Sequence, residues 1–186
     1  MEQAESFRSL IDQYGCFKEQ DAALCIKQAL QGLGYLHQCG IVHGSLRASN
    51  VFVDLHEGVV NLSEFGLHIP FADLAISDLK YFYQQSTFWM TPEGIELASP
   101  TTAGDIWSIG VFLLELLTGN PPFSGFVSAS DALYHIAGST EVPLPSDLSS
   151  VRENHSPLRY SASYWIGSQI VLVGLLYEGS RSETDR

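Results

Sequence analysis

Positively charged residues are scarce in this sequence of 186 residues. Nine Lys and Arg side chains stand against 21 Asp and Glu, which gives a formal net charge of −12. Nucleic acids and anionic membranes attract proteins through an excess of positive charge, and this chain has none. The composition therefore excludes both as expected partners, and we expect neither nucleic-acid nor membrane binding.

Cysteine is also rare. The three residues Cys16, Cys25 and Cys39 are odd in number and include no CxxC pair. A disulfide framework or a zinc site needs more cysteines at closer and more regular spacing. The pattern instead predicts buried or incidental thiols in a reducing compartment.

Long apolar runs and an export signal are missing as well. The stretch from Ile166 to Tyr177 is interrupted by glycine and polar residues and is shorter than the ~20 residues that span a bilayer. It is interpreted as a core segment, with a membrane contact as the lesser alternative. The first six residues lack the basic start and apolar centre of a signal peptide, so we expect a cytoplasmic protein.

What the chain does have is enough apolar material for one globular domain, at 45% of its residues. Its charge is unevenly divided. Residues 1–150 contain 5 basic and 17 acidic side chains, whereas residues 151–186 contain 4 of each. The composition thus changes near Ser150, and we expect a domain over 1–150 and a divergent tail over 151–186.

Apolar periodicity predicts the first elements. Between Glu19 and His37, apolar residues recur at steps of three and four, which is typical of a helix with one buried face, and Gly40 should end it. The apolar residues on that face are Ala23, Ile26, Leu30, Leu33 and Leu36. Two short β-branched runs, 51–53 and 59–62, flank a turn that contains Gly58 and predict a hairpin.

The second half of the chain is predicted to contain one long irregular segment and two helices. Residues 67–100 show no sustained period and predict a long irregular segment, which is often functional. Asp105 to Leu117 is apolar on nearly every side, as in a helix at the centre of a core, and Gly119 should cap it. A shorter helix is expected from Ser130 to Ala137.

Four short motifs then follow one another in a fixed order. They are His43-Gly44-Ser45-Leu46-Arg47-Ala48-Ser49-Asn50, Glu64-Phe65-Gly66, Thr91-Pro92-Glu93 and Asp105-Ile106-Trp107-Ser108-Ile109-Gly110. In this order the chain resembles the C-terminal lobe of a eukaryotic protein kinase, with its HRDLxxxN, DFG and APE motifs. The sequence around Trp89 is most similar to that of Ser/Thr kinases of the MAP-kinase-kinase-kinase type. The resemblance implies a mainly helical α+β fold, a protein-kinase-like C-lobe lacking the N-terminal lobe.

The resemblance also identifies substitutions at positions that the family uses for catalysis and regulation. Ser45 stands where the family has the aspartate that accepts the proton of the attacking hydroxyl, and serine cannot act as that base. Gly44 replaces the arginine that in many kinases holds a phosphate of the activation segment. Glu64 replaces the metal-binding aspartate, which keeps the charge but moves the carboxylate by about 1 Å.

Other motif positions are retained. Arg47 keeps the charge of the catalytic-loop lysine, and Asn50 keeps the amide that in the family binds the second Mg²⁺, so Asn50 and Glu64 are the expected weak metal and nucleotide ligands. The resemblance gives structural roles to His43, Phe65, Glu93 and Asp105, although the arginine that should pair with Glu93 is not identifiable. It assigns Ser86 and Thr87 to the activation segment.

The resemblance is incomplete at both ends of the sequence. Met1 and Glu2 correspond to the kinase hinge, so the glycine-rich loop, the nucleotide-clamping lysine and its glutamate partner have no place in the sequence. Residues 151–186 lack the expected Asp-Pro-x-x-Arg pattern. An alternative C-terminus or an incorrect gene model would explain both ends, and is favoured over a tail that docks on a partner.

These observations predict a catalytically impaired, pseudokinase-like module that acts through protein partners, another kinase among them. It should require no cofactor and should bind Mg·ATP weakly. The enzyme alternative is a fragment of an ATP-dependent Ser/Thr kinase that works in a phosphorylation cascade. A third interpretation is the product of a decayed gene with no stable function.

Overall fold

The computed structural model describes residues 4–65, 87–92, 100–121, 123–126 and 128–138. Over these ranges the chain forms four α-helices, a three-stranded sheet and one 3₁₀ helix. In chain order they are β1 (Ala4–Ser6), α1 (Phe7–Tyr14), α2 (Glu19–Gln38), β2 (Val51–Asp54), β3 (Val60–Leu62), the 3₁₀ helix (Thr87–Trp89), α3 (Thr102–Thr118) and α4 (Ala129–Gly138). The described part of the chain is therefore α+β and mainly helical, as expected.

Helix α2 agrees closely with its predicted range and ends one residue later. Its buried face includes the predicted Ile26, Leu33 and Leu36, but Ala23 and Leu30 are only half-buried, because Ala22 and Ala29 take the central positions. The predicted stop at Gly40 is confirmed. This glycine adopts a φ of 74°, and its N–H donates to the carbonyl of His37 at 3.0 Å.

Helix α3 lies at the centre of the described structure. It begins three residues before the predicted start, because the Thr101 hydroxyl accepts a hydrogen bond from the Gly104 N–H at 2.9 Å and caps the first turn. The predicted cap at Gly119 is confirmed by its left-handed φ of 82°. Ten of its 17 residues are buried, and most of the others, such as Ile106 and Leu117, are half-buried.

The sheet has the order β1-β2-β3, and both pairings are antiparallel. The predicted hairpin is confirmed, with Val51 opposite Leu62. In its turn, the carboxylate of Asp54 accepts hydrogen bonds from two backbone N–H groups, and Gly58 adopts a φ of 67°. Val59 was expected in the strand but lies outside it and is exposed.

Two groups of buried side chains form the core. The larger joins α1, α2, the sheet and one side of α3, and its largest members are Phe7, Ile26, Leu33, Phe112 and Leu116. The smaller joins the other side of α3 to α4 and the 3₁₀ helix, and includes Trp107, Val111, Phe123 and Ile136. Because α3 contributes to both groups, it positions the loops at its N-terminal end relative to the rest of the molecule.

All three cysteines are free. Cys16 and Cys39 are exposed, which fits incidental rather than buried thiols. Cys25 is half-buried on α2, and burial together with the charge of Asp21 raises the pKa of its thiol to about 11.

Among the helices described, none is both long and apolar enough to cross a bilayer. The predicted segment 166–177, the tail 151–186 and most of the irregular segment 67–100 lie outside the described residues.

Candidate functional site

The loop that joins α2 to β2 is anchored by Asp105, in the first turn of α3. Asp105 is 1% exposed. Its carboxylate accepts hydrogen bonds from the backbone N–H groups of His43 and Gly44, both at 2.8 Å, and lies 2.7 Å from Nε2 of His37. Gly44 can adopt its φ of 75° without strain because it has no Cβ. One buried carboxylate thus fixes the start of the loop on the central helix.

His43 is buried against that anchor. Burial lowers the pKa of its imidazole, with the charge of Asp105 opposing the shift, so the ring is neutral at neutral pH. Its Nδ1 accepts a hydrogen bond from the Ser45 N–H at 3.3 Å. The ring meets the edge of Phe65 with centroids 6.3 Å apart. Phe65 itself is 43% exposed.

Asn50 closes the other end of the loop and is 3% exposed. Its side-chain Nδ2 donates to the carbonyl of Ser45 at 2.9 Å, and its Oδ1 accepts from the hydroxyl of Ser49 at 3.1 Å. Its backbone carbonyl accepts from both the N–H and the hydroxyl of Ser63, each at 3.0 Å. Asn50 therefore ties the loop to itself and to the end of β3.

Glu64 follows β3 in a strained backbone conformation. Its φ is 58°, and it is the one residue other than glycine with a positive φ in the described part of the chain. This conformation costs a side-chain-bearing residue roughly 1 kcal/mol. The Ser45 hydroxyl donates to the Glu64 carbonyl at 3.0 Å, and the Glu64 side chain is exposed at the rim of the site.

Arg47 connects the loop to the 3₁₀ helix. Its side chain is half-buried, and its Cζ lies 5.8 Å from the centroid of the Trp89 ring, within the range of a cation–π interaction. The cation retained at this position therefore lies against the segment that precedes Pro92.

A second buried carboxylate, Glu115, was not found by sequence reasoning. It is 1% exposed on α3. Its Oε2 accepts hydrogen bonds from the Ala48 N–H and the Trp89 Nε1–H, each at 3.1 Å, and its Oε1 lies 3.2 Å from Nη1 of Arg8. Burial raises the pKa of the Glu115 carboxyl, while these hydrogen bonds and the Arg8 charge oppose the shift. The available signal was an acidic residue inside the otherwise apolar stretch from Ile109 to Leu117.

These residues surround an open cavity of about 470 Å³. Two arginines, two glutamates, two aromatic residues and two small polar residues line it. They are Arg8, Arg47, Ser49, Asn50, Glu64, Phe88, Trp89 and Glu115. The arginine and glutamate charges balance, and the Ser45 hydroxyl beside the cavity already donates its proton to a carbonyl. The site thus has groups that can contact a polar partner but no free base at position 45.

The sequence predicts a weak metal site at Asn50 and Glu64. No cluster of three or more His, Cys, Asp or Glu side chains that could hold a metal occurs in the described ranges. Asn50 and Glu64 both line the cavity and offer an amide oxygen and a carboxylate. Mg²⁺ takes six oxygen ligands, so most of its shell would have to come from phosphates and water. Two donors fit a weak site of this kind.

The structure therefore brings the predicted Arg47, Asn50 and Glu64 together around one cavity, and Ser45 is hydrogen-bonded to Glu64 and Asn50 beside it. The backbone N–H of His43 donates to Asp105, and the His43 ring contacts Phe65. Thr87 begins the 3₁₀ helix and is fully buried. Ser86 and Glu93 lie outside the described residues.

Comparison with known proteins supports the order of motifs. The family model described as protein kinase domain matches residues 1–162. A probable serine/threonine-protein kinase of Dictyostelium discoideum is 35% identical over 144 residues, which cover 77% of this chain and 28% of that protein. Mitogen-activated protein kinase kinase kinase A of the same organism is 36% identical over 145 residues, 77% of this chain and 15% of that protein.

A plant protein gives the same result. Mitogen-activated protein kinase kinase kinase 3 of Arabidopsis thaliana is 36% identical over 146 residues, 77% of this chain and 22% of that protein. The chain thus spans less than a third of the length of each of these curated relatives.

Proposed function

The chain belongs to the protein kinase domain family, and from this premise we propose that it is a catalytically impaired, pseudokinase-type member that acts by binding other proteins. Another kinase is one expected partner. Under this proposal the chain has the fold of the family but cannot carry out its proton-transfer step. If the chain is active, it is a Ser/Thr kinase, in keeping with its relatives.

One observation carries the proposal: a serine stands at the base position of a loop that is held in place by hydrogen bonds to Asp105 and Asn50. Phosphoryl transfer needs a carboxylate there to orient the attacking hydroxyl and accept its proton. Ser45 presents a hydroxyl that already donates to the carbonyl of Glu64. The anchor at Asp105 and the bonds of Asn50 are present around it. The proposed loss of proton transfer at position 45 therefore leaves the hydrogen bonds that hold the loop in place.

The second candidate function is a fragment of an ATP-dependent Ser/Thr kinase. The observation in its favour is that Arg47, Asn50 and Glu64 line one cavity, where a cation, an amide and a carboxylate could together contact Mg²⁺ and phosphates. If magnesium nucleotide binds, Asn50 and Glu64 would hold the metal, which would supply charge neutralisation between the phosphates.

Nucleotide binding separates the two candidates. Two oxygen donors give little affinity, and we expect about 1 mM Mg·ATP to raise the melting temperature of the 186-residue chain by no more than about 2 °C. A thermal-shift titration measures this, with the Asn50→Ala/Glu64→Ala double variant as control. Sub-micromolar affinity that the double variant abolishes would favour the enzyme and count against the proposal.

Phosphorylation of the segment before Trp89 should not switch the module. Thr87 is 0% exposed, and a charged group there would have to leave the core. We expect Thr87→Glu to lower the free energy of unfolding by about 2 kcal/mol or more, because it buries a charge. Thr87→Ser keeps the hydroxyl and should lose about 1 kcal/mol.

Urea unfolding of the two Thr87 variants measures the difference. A Thr87→Glu protein at least as stable as the parent would show that the segment accepts a negative charge, in the manner of a regulated kinase.

A further inference from the structure

Ser45 makes more contacts than the loss of a catalytic base requires. Its hydroxyl donates to the Glu64 carbonyl at 3.0 Å, and its own carbonyl accepts from the Asn50 side chain at 2.9 Å. Its N–H donates to Nδ1 of His43, whereas its hydroxyl is 3.5 Å from that nitrogen, at the limit of a hydrogen bond. The hydroxyl proton is therefore directed to Glu64.

The residue that receives this hydrogen bond is the strained one. Glu64 adopts a φ of 58°, and conformations of this kind persist where the surroundings hold them. The preceding Ser63 is fixed by two hydrogen bonds to the carbonyl of Asn50. Within the described residues, the bond from Ser45 is the one that holds the backbone of Glu64 itself.

A carboxylate in place of the Ser45 hydroxyl could not make this bond. An ionised aspartate has no donor, and its oxygens would face the carbonyl of Glu64, which is itself an acceptor. Serine at this position is thus chemically suited to the Glu64 turn, in addition to being unsuited to proton transfer.

We infer that Ser45 is a positioning residue whose hydroxyl holds the left-handed turn at Glu64 and so fixes where Glu64 and Asn50 stand at the rim of the cavity. The inference rests on the proposed function, because it assigns Ser45 to the shape of a binding surface. It implies that aspartate at position 45 disturbs this surface.

Amide hydrogen exchange of the full chain tests the inference. The reporter is the Ser63 N–H, which donates to the Asn50 carbonyl one residue before the turn. Ser45→Ala should speed its exchange by about fivefold to tenfold, the change that corresponds to one net hydrogen bond. Ser45→Asp should speed it at least as much. Ser45→Thr keeps the donor and should leave the rate within about twofold of the parent.

A second substitution separates the turn from general loss of stability. Glycine adopts a positive φ without strain, so Glu64→Gly in the Ser45→Ala background should recover part of the lost protection. Amides in the middle of α3 should exchange at the parent rate in every variant.

The inference is overturned if Ser45→Ala and Ser45→Asp both leave the Ser63 amide as protected as in the parent, or if Glu64→Gly recovers nothing. Either result would leave the proposed function unaffected, because the proposed function is tested separately, by the measurement of phosphoryl transfer.

Discussion

Glu115→Ala is expected to lower the free energy of unfolding by about 3–5 kcal/mol. The Glu115 carboxylate is 1% exposed and accepts hydrogen bonds from the Ala48 N–H and the Trp89 indole. Removing it leaves two donors without their acceptor, each at a cost of about 1–3 kcal/mol. The cavity that the missing side chain leaves beside α3 lowers the free energy of unfolding further. Arg8 contributes less, because its side chain is 30% exposed and keeps other partners.

A matched control is available on the same arginine. Asp12 pairs with Arg8 at 2.6 Å, but the Asp12 side chain is 66% exposed. Exposed pairs of this kind contribute about 0–1 kcal/mol, so Asp12→Ala should have a small effect. Urea unfolding measures both variants. Equal losses for Glu115→Ala and Asp12→Ala would show that the buried carboxylate does not connect α3, the loop and the 3₁₀ helix as described.

Elements defined by local pattern could be predicted from the sequence. Helix α2 follows from its apolar spacing and Gly40, and α3 follows from a continuous apolar run that ends at Gly119. Both depend on residues close together in the chain. The first strand was not predicted, because three residues such as Ala4–Ser6 become a strand only by pairing with β2, almost fifty residues away. Pairing at that separation leaves no periodic signal.

The candidate site divides in the same way. The motifs identified Ser45, Arg47, Asn50 and Glu64. The structure places the last three at one cavity, with the Ser45 hydroxyl hydrogen-bonded to the Glu64 carbonyl. The motifs did not reveal Glu115, because its partners Arg8, Ala48 and Trp89 come from three separate parts of the chain and Arg8 is 107 residues away. They also did not reveal the positive φ of Glu64, since a glutamate in a sequence gives no indication of a left-handed backbone.

Phosphoryl transfer by this chain is expected to be at least 10²-fold slower than by an active relative, and up to 10⁴-fold slower, because this is the usual contribution of a general base. The proton of the attacking hydroxyl has no acceptor at position 45, where the serine donates to Glu64 instead. Glu64 is a poor substitute, because its carboxylate projects from a strained turn at the rim of the cavity and, under the proposal, would there be the ligand of a bound metal. Transfer should therefore be at background.

The most direct measurement is the transfer of labelled phosphate from Mg·ATP to a generic Ser/Thr protein substrate by the purified chain. The control variant is Asn50→Ala/Glu64→Ala, and an active relative's kinase domain serves as the positive control. The proposed function predicts the same background signal for the chain and for the double variant. Transfer by the parent chain that the double variant abolishes would contradict it and identify the chain as a working kinase.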